Sequence, residues 1–315
     1  MSRRAGVLEL ICQDFDPALA LLQSLGLRLD SITPADAPHT AMLSGDGAVV
    51  RLTSRPNAAS AAAENSSFKP EFLISRAGGE EAEGRAGMLY RDLIPGRLGG
   101  QYIASHITIP EGGPVADWVH YHRVAFQMIA VRRGWVRVVY EGQGDPFVMN
   151  AGDVVLQPPE IRHRVLESSP GLEVIEISGP AVHETFAEHE LALPGGERAP
   201  DSDFAGQQFL RHIAAEAPCT AWHGGEAQQT GMRAATGGLA DVRLVRPGTE
   251  SAIAVPLHDG ELVFGFVLEG SATLDCRGRA ALGPADCFVI PPGEVWRLTE
   301  CSPDLRLLHV TTAKR

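Results

Sequence analysis

The sequence predicts a mainly β protein: two repeated barrels of jelly-roll type preceded by a small α+β module. Three observations carry this prediction. From Gly87 onward the chain is written in short apolar, β-prone stretches broken by Gly and Pro, as a sandwich or barrel requires. That region also repeats itself, and the residues before it alternate strand and helix signals in the order β-α-β-β-β.

The N-terminal unit, residues 1–56, begins with the apolar stretch Val7 to Cys12. Asp16-Pro17 offers a helix N-cap and a first-turn proline, Ala18, Leu21, Leu22 and Leu25 form a helical stripe, and Gly26 ends it. Leu27 to Ile32, Thr40 to Leu43 and Ala48 to Leu52 follow as strands, the last two joined at Ser44-Gly45-Asp46-Gly47. This order resembles one module of the glyoxalase and extradiol-dioxygenase (vicinal oxygen chelate) superfamily. Such modules take metal ligands from their first and last strands, where this chain offers Leu8, Glu9 and Arg51. The resemblance therefore implies a structural or dimerising half-module, and its uncovered sheet edge predicts a homodimer.

Residues 57–86 are rich in Ala, Ser, Gly and Glu and read as a linker, with one possible strand at Glu71 to Ser75. Residues 181–205, which carry His183, His189 and Pro194-Gly195-Gly196, read as a second linker. They bound a first barrel over 87–180 and a second over 206–315. An offset of 136 places Gly112, His122 and Gly134 on Gly248, His258 and Gly270. An offset of 133 places Asp153, Pro158, Pro159, Arg164 and Glu167 on Asp286, Pro291, Pro292, Arg297 and Glu300. One β-domain has been duplicated.

In the first copy His120 and His122 alternate along a predicted strand from Trp118 to Val124, so both imidazoles share a face. Five residues on, Gln127 starts the next apolar strand and points the same way if the pleat continues, and Gly134 then closes a turn. Gly152 to His163 then reads as a strand, a Pro158-Pro159 turn and a returning strand that supplies a third imidazole, His163. Three histidines and Gln127 thus form a candidate site for one divalent transition metal, of which Fe, Ni, Zn and Cu suit imidazole. The second copy has Pro256, His258, Val263 and Trp296 at these positions, which predicts a metal-free barrel.

The spacing His120-x-His122-x4-Gln127-x6-Gly134, followed by Gly152-x5-Pro158-x-Glu160-x2-His163, resembles the two motifs of the cupin superfamily. The resemblance covers about Gly87 to Thr312 as a bicupin, with Gln127 where a glutamate ligand is usual and Glu160 where the turn has glycine. It implies metal ligation by His120, His122, Gln127 and His163. It also implies similarity to three-histidine and quercetin-type dioxygenases that use Fe(II), with Ni, Mn or Zn as alternatives, on a small anionic chelating substrate and dioxygen. A neutral Gln127 leaves the ion's charge for an incoming anion, giving this residue a catalytic role. A decarboxylase, an isomerase and a non-catalytic binding bicupin are the rival readings.

His106 is a core or barrel-mouth histidine, Trp118 and Phe126 belong to the core, Arg132 and Arg133 to a solvated turn, and Arg162 and Arg164 point away from His163. With 27 basic against 39 acidic residues, the net charge of −12 opposes binding to nucleic acid or anionic membranes. Five scattered cysteines without a Cys-x-x-Cys pair, and an apolar N-terminal stretch broken by Glu9, Gln13, Asp14 and Asp16, predict a cytoplasmic protein with free thiols and no anchor.

Overall fold

The computed structural model describes residues 6–55, 67–84, 87–195, 198–249 and 251–314. The run Ala58 to Ala63 and Gly196 therefore lie outside the described residues. The N-terminal unit is β1 (Val7–Ile11), α1 (Phe15–Ser24), β2 (Arg28–Thr33), β3 (Thr40–Gly45) and β4 (Ala48–Thr53). The helix begins earlier than Asp16-Pro17 suggests: Asp14 is the N-cap, and Pro17 sits in the first turn, where its missing N–H has no intrahelical partner to lose. Gly26, at φ 92°, ends the helix as expected. Phe15, Leu19 and Leu22 pack on Ile32, Ala41, Leu43 and Leu52.

The module is not separate from the barrels. Its sheet runs β1-β4-β3-β2 and continues through Thr185–Ala187 into the strand His120–His122. Ile32 and Ser31 pair with Thr185 and Phe186, which in turn pair with His122 and Tyr121. One edge of the module is thus covered by its own chain. The other, β1, leaves Val7, Leu8 and Ile11 46%, 57% and 87% exposed.

Each barrel is a pair of facing sheets. In the first, the sheet holding His120–His122, His163–Ser168 and Trp135–Tyr140 faces the sheet holding Val154–Leu156, Phe126–Arg133, Leu172–Gly179 and Ile103–Ile109. The pleat sends alternate residues of the latter sheet to opposite sides. Phe126, Met128, Ile175 and Ile177 turn outward and meet Phe264, Phe266, Leu308 and Val310 of the second barrel in a shared core. Ile129, Val131 and Val174 turn inward. The barrels also exchange strands: Leu73–Ser75 pairs with Cys287–Val289 of the second, and Leu210–His212 with Val154–Leu156 of the first. All five cysteines are thiols, and no described helix is long and apolar enough to cross a membrane.

At the barrel interface Arg132 departs from expectation, whereas His106 is a buried core histidine. Arg132 is not solvated; it pairs with Glu173 and is 16% exposed, whereas Arg133 is 74% exposed. His106 sits against Phe266 of the second barrel, 5.7 Å between ring centroids, and its Nε2 lies 2.8 Å from Glu173 Oε2. His106 and then Arg132 hold the Glu173 carboxyl down at about 2. A depressed folded-state pKa gives stability that is present above the ordinary carboxyl range and lost as pH falls toward the folded value. Thermal melts of wild type and Glu173→Gln should therefore differ by several degrees at pH 7, and the gap should close between about pH 5 and pH 2. A gap that does not vary with pH would show that the pair contributes no charge-dependent stability.

Candidate metal centre

Antiparallel pairing sets His120 directly opposite His163, and the two-residue period puts His122 on the same face as His120. The ring centroids of His120 lie 4.2 Å from His163 and 5.1 Å from His122, and the nitrogen atoms that could ligate all fall within 4.8 Å of one another. All three residues are buried. Each Nδ1 is fastened: to the carbonyl oxygen of Trp118 at 2.8 Å for His120, to that of Ile161 at 2.9 Å for His163, and to Thr185 Oγ1 at 2.9 Å for His122. A carbonyl oxygen only accepts, so His120 and His163 donate from Nδ1 and carry the ring lone pair on Nε2. That tautomer is the one a metal-binding histidine needs. The buried Asp117 places Oδ1 3.6 Å from His120 Nδ1. Three oriented neutral imidazoles fit a divalent transition metal.

Gln127 reaches the site by a different route from the one its spacing suggested. The strand His120–His122 does not continue to it, because Arg123 to Ala125 carry the chain into the facing sheet. Gln127 then faces the histidines' cavity from the opposite wall, buried, with Nε2 donating to Glu176 Oε1 at 3.0 Å. Its direct strand partner is Ser178, so Glu176 is its diagonal neighbour. Ser178 Oγ also donates to Glu176 Oε1, at 3.1 Å.

Sequence reasoning missed Glu176, as it missed Tyr140 and Gln157. The signal for Glu176 is the single acid among the inward-facing positions Leu172, Val174, Glu176 and Ser178 of the strand Leu172–Gly179. Tyr140 and Gln157 border the same cavity, and Gln157 Nε2 donates to Tyr140 Oη at 2.9 Å. Burial pushes the Tyr140 phenol above its ordinary value, so it stays protonated. Ile107, Ile129, Val136, Val138 and Met149 supply an apolar wall, and the cavity holds about 90 Å³, room for a small molecule. Arg164, expected to point away, borders this cavity, and its Nε is buried without a hydrogen-bond partner among the described residues. Arg162 does point away and stacks on Tyr121, 4.3 Å from the ring centroid. Trp118 meets His120 edge-on at 5.2 Å, and Phe126 belongs to the inter-barrel core.

Glu160, the departure from glycine in the turn, adopts φ 60°. A side chain there costs roughly 1–2 kcal/mol, and its carboxylate receives Arg123 Nε at 3.3 Å. The half-module's Glu9 and Arg51 pair with each other at 3.0 Å on an exposed face.

The second barrel shows what the same fold does with its interior filled. At the 133-residue offset, Val155 becomes Phe288, His163 becomes Trp296 and Glu176 becomes His309. Trp296 is fully buried against Phe288, at 5.2 Å, and stacks on His309 at 5.7 Å. Gly265 leaves the space that the Phe288 ring occupies. Burial lowers His309 to about 3, which keeps it neutral. Among the described residues the three-histidine cluster is the single group able to hold a metal.

No protein-family profile and no curated protein sequence matches the chain. Solved structures do match its fold. Salicylate 1,2-dioxygenase from Pseudaminobacter salicylatoxidans superimposes with a TM-score of 0.57 at 18% identity, covering 78% of this chain and 85% of that one. Protein Ylba from E. coli, of family DUF861, gives 0.56 at 10% identity, covering 82% and 98%. A deletion mutant of Bacillus subtilis oxalate decarboxylase OxdC gives 0.55 at 13% identity, covering 79% and 78%. The repeat, the paired barrels and these superpositions give one conclusion: the chain has a bicupin fold, with its three-histidine cluster in the first barrel.

Proposed function

We propose that the chain is a cytoplasmic metal-dependent dioxygenase that holds one divalent transition metal, Fe(II) foremost with Ni, Mn or Zn as alternatives, on His120, His122 and His163. Its substrate in this reading is a small chelating anion, a diketone enolate or a hydroxylated aromatic acid, used together with dioxygen. The neutrality of the donor set carries the proposal: three uncharged imidazoles face a fourth corner held by an amide, Gln127, so an anionic chelate meets no carboxylate ligand. When bound, the ion supplies Lewis acidity and open positions for chelate and dioxygen. The protein's own groups do the rest. Glu176, its charge spread by bonds from Gln127 and Ser178, borders the cavity and can accept a hydroxyl hydrogen from the substrate. Tyr140 accepts from Gln157 and keeps its own O–H for a substrate oxygen, while the apolar wall excludes water.

Glu176 also favours a second reading, a decarboxylase or isomerase, since those reactions use a carboxyl group to move a proton. Oxygen uptake by Fe-loaded protein with diketones or hydroxybenzoates supports the oxygenase; turnover without oxygen uptake supports the second reading. Tight binding without turnover would leave a binding bicupin. The exposed β1 edge further supports a homodimer, and Ile11→Lys should then halve the mass in solution, whereas an unchanged mass would exclude this edge.

Elemental analysis should find about one metal per chain, absent from His163→Ala and retained in His258→Ala. Two metals per chain, or loss in the His258 variant, would overturn the assignment to the first barrel. At the fourth corner, Gln127→Glu sets two carboxylates against each other where the amide now donates at 3.0 Å. Metal affinity should hold or rise, while titration with an anionic chelator should weaken at least tenfold, about 1.4 kcal/mol. Unchanged chelator affinity in Gln127→Glu would place this residue away from the open coordination positions.

A further inference from the structure

A second, smaller cavity of about 40 Å³ adjoins the metal centre and shares His122 and Glu176 with it. Three parts of the chain build it. Asp36 comes from the β2–β3 connection of the N-terminal module, Ser105 from the strand Ile103–Ile109, and His183 and Thr185 from the segment that returns to the module's sheet.

The hydroxyl residues Tyr90, Ser105 and Thr185 line this cavity beside three groups that can accept a hydrogen bond, Asp36, Glu176 and His183. His183 is 6% exposed, and its Nδ1 lies 3.0 Å from the carbonyl oxygen of Pro180. That oxygen only accepts, so Nδ1 donates and Nε2 carries the lone pair. Nε2 is buried with no hydrogen-bond partner among the described residues. Asp36 receives Arg97 Nη2 on Oδ2 at 2.7 Å, and its Oδ1 is buried with no such partner. The Glu176 carboxylate forms part of the same wall. Two carboxylates repel an anion. A metal ion is no better served, because Asp36, Glu176 and His183 do not bring three ligand atoms within 4.8 Å of one another. A small neutral donor suits all three acceptors. Water needs roughly 10–15 Å³ of such space and two to four polar partners, and both requirements are met.

We propose that this cavity is a hydration chamber in which ordered water donates to His183 Nε2 and Asp36 Oδ1 and links both to Glu176, so that the N-terminal module orients a group on the wall of the metal centre. Asp36 and His183 are then positioning residues. The covered β2 edge and the Thr185 Oγ1 contact to His122 run along the same route. On this account the module is a working part of the site, in addition to offering its β1 edge to a second copy.

The occupancy is tested on the metal-loaded full chain by a crystal structure at a resolution that shows ordered water. Density within hydrogen-bonding distance of both His183 Nε2 and Asp36 Oδ1 is the expected result; a dry chamber, or one closed by a rotated side chain, overturns the proposal. The positioning role, which rests on the proposed anionic substrate, is tested by titrating salicylate into metal-loaded variants. His183→Phe, which fills the chamber, and Asp36→Asn, which turns a donor toward it, should keep the metal and weaken salicylate about fivefold or more. His183→Gln, which restores an acceptor, should recover near-wild-type affinity. Wild-type affinity in His183→Phe overturns the positioning role, and if that variant does not fold, failure of His183→Gln to bind as wild type does the same. Should wild type itself bind no salicylate, the substrate assignment fails while the crystallographic result still decides the chamber.

Discussion

The register that sets His120 opposite His163 fixes the geometry of the candidate metal centre, because neither histidine has a helix or loop of its own to aim it. A shift of one residue in that ladder would turn one imidazole out of the barrel. Backbone carbonyls at Trp118 and Ile161, each two residues before its histidine, then hold the Nδ1 atoms of these two rings. The same stretch of chain that forms the strand thus selects the tautomer that leaves Nε2 as the ligating atom. Preorganisation of this kind costs the site no rearrangement when an ion arrives.

The rest of the fold keeps that ladder in place from both sides. Behind the facing sheet, alternate residues of Phe126–Arg133 and Leu172–Gly179 close a core shared with the second barrel, so Gln127 and Glu176 stand on a wall whose other side is tightly packed. Beyond the histidine strand, Thr185–Ala187 and β2 extend the sheet into the N-terminal module. Duplication gave the two barrels different tasks. One keeps a cavity at its centre, with Val155 and His163 where the other sets Phe288 and Trp296; the other fills that volume and serves as the packing surface against which the first is built.

The three histidines are legible in sequence because strands impose a two-residue period that sequence displays directly and because the Pro158-Pro159 turn marks the return of the chain. His120, His122 and His163 meet on one face of paired strands for that reason. Gln127 faces the cavity for a reason the spacing could not reveal, since the chain changes sheets at Arg123 to Ala125. Glu176 belongs to no motif and becomes meaningful only beside Gln127, across a pairing of distant segments. Asp36 and His183 are further from legibility, because a loop of the first module and a residue of the second linker are joined only by long-range sheet pairing. Arg132 is covered although a turn beside Gly134 reads as solvent-facing, because it pairs with Glu173 on the neighbouring strand. Local rules place a residue on a face; what lies against that face is a property of the whole chain.

The central claim is a single metal held by three imidazoles in the first barrel. Anomalous scattering at the absorption edge of the metal carried by the purified protein tests it most directly. One peak per chain is expected, about 2.0–2.2 Å from the Nε2 atoms of His120, His122 and His163. A peak in the second barrel, or one from which any of these three nitrogens is absent, would contradict it.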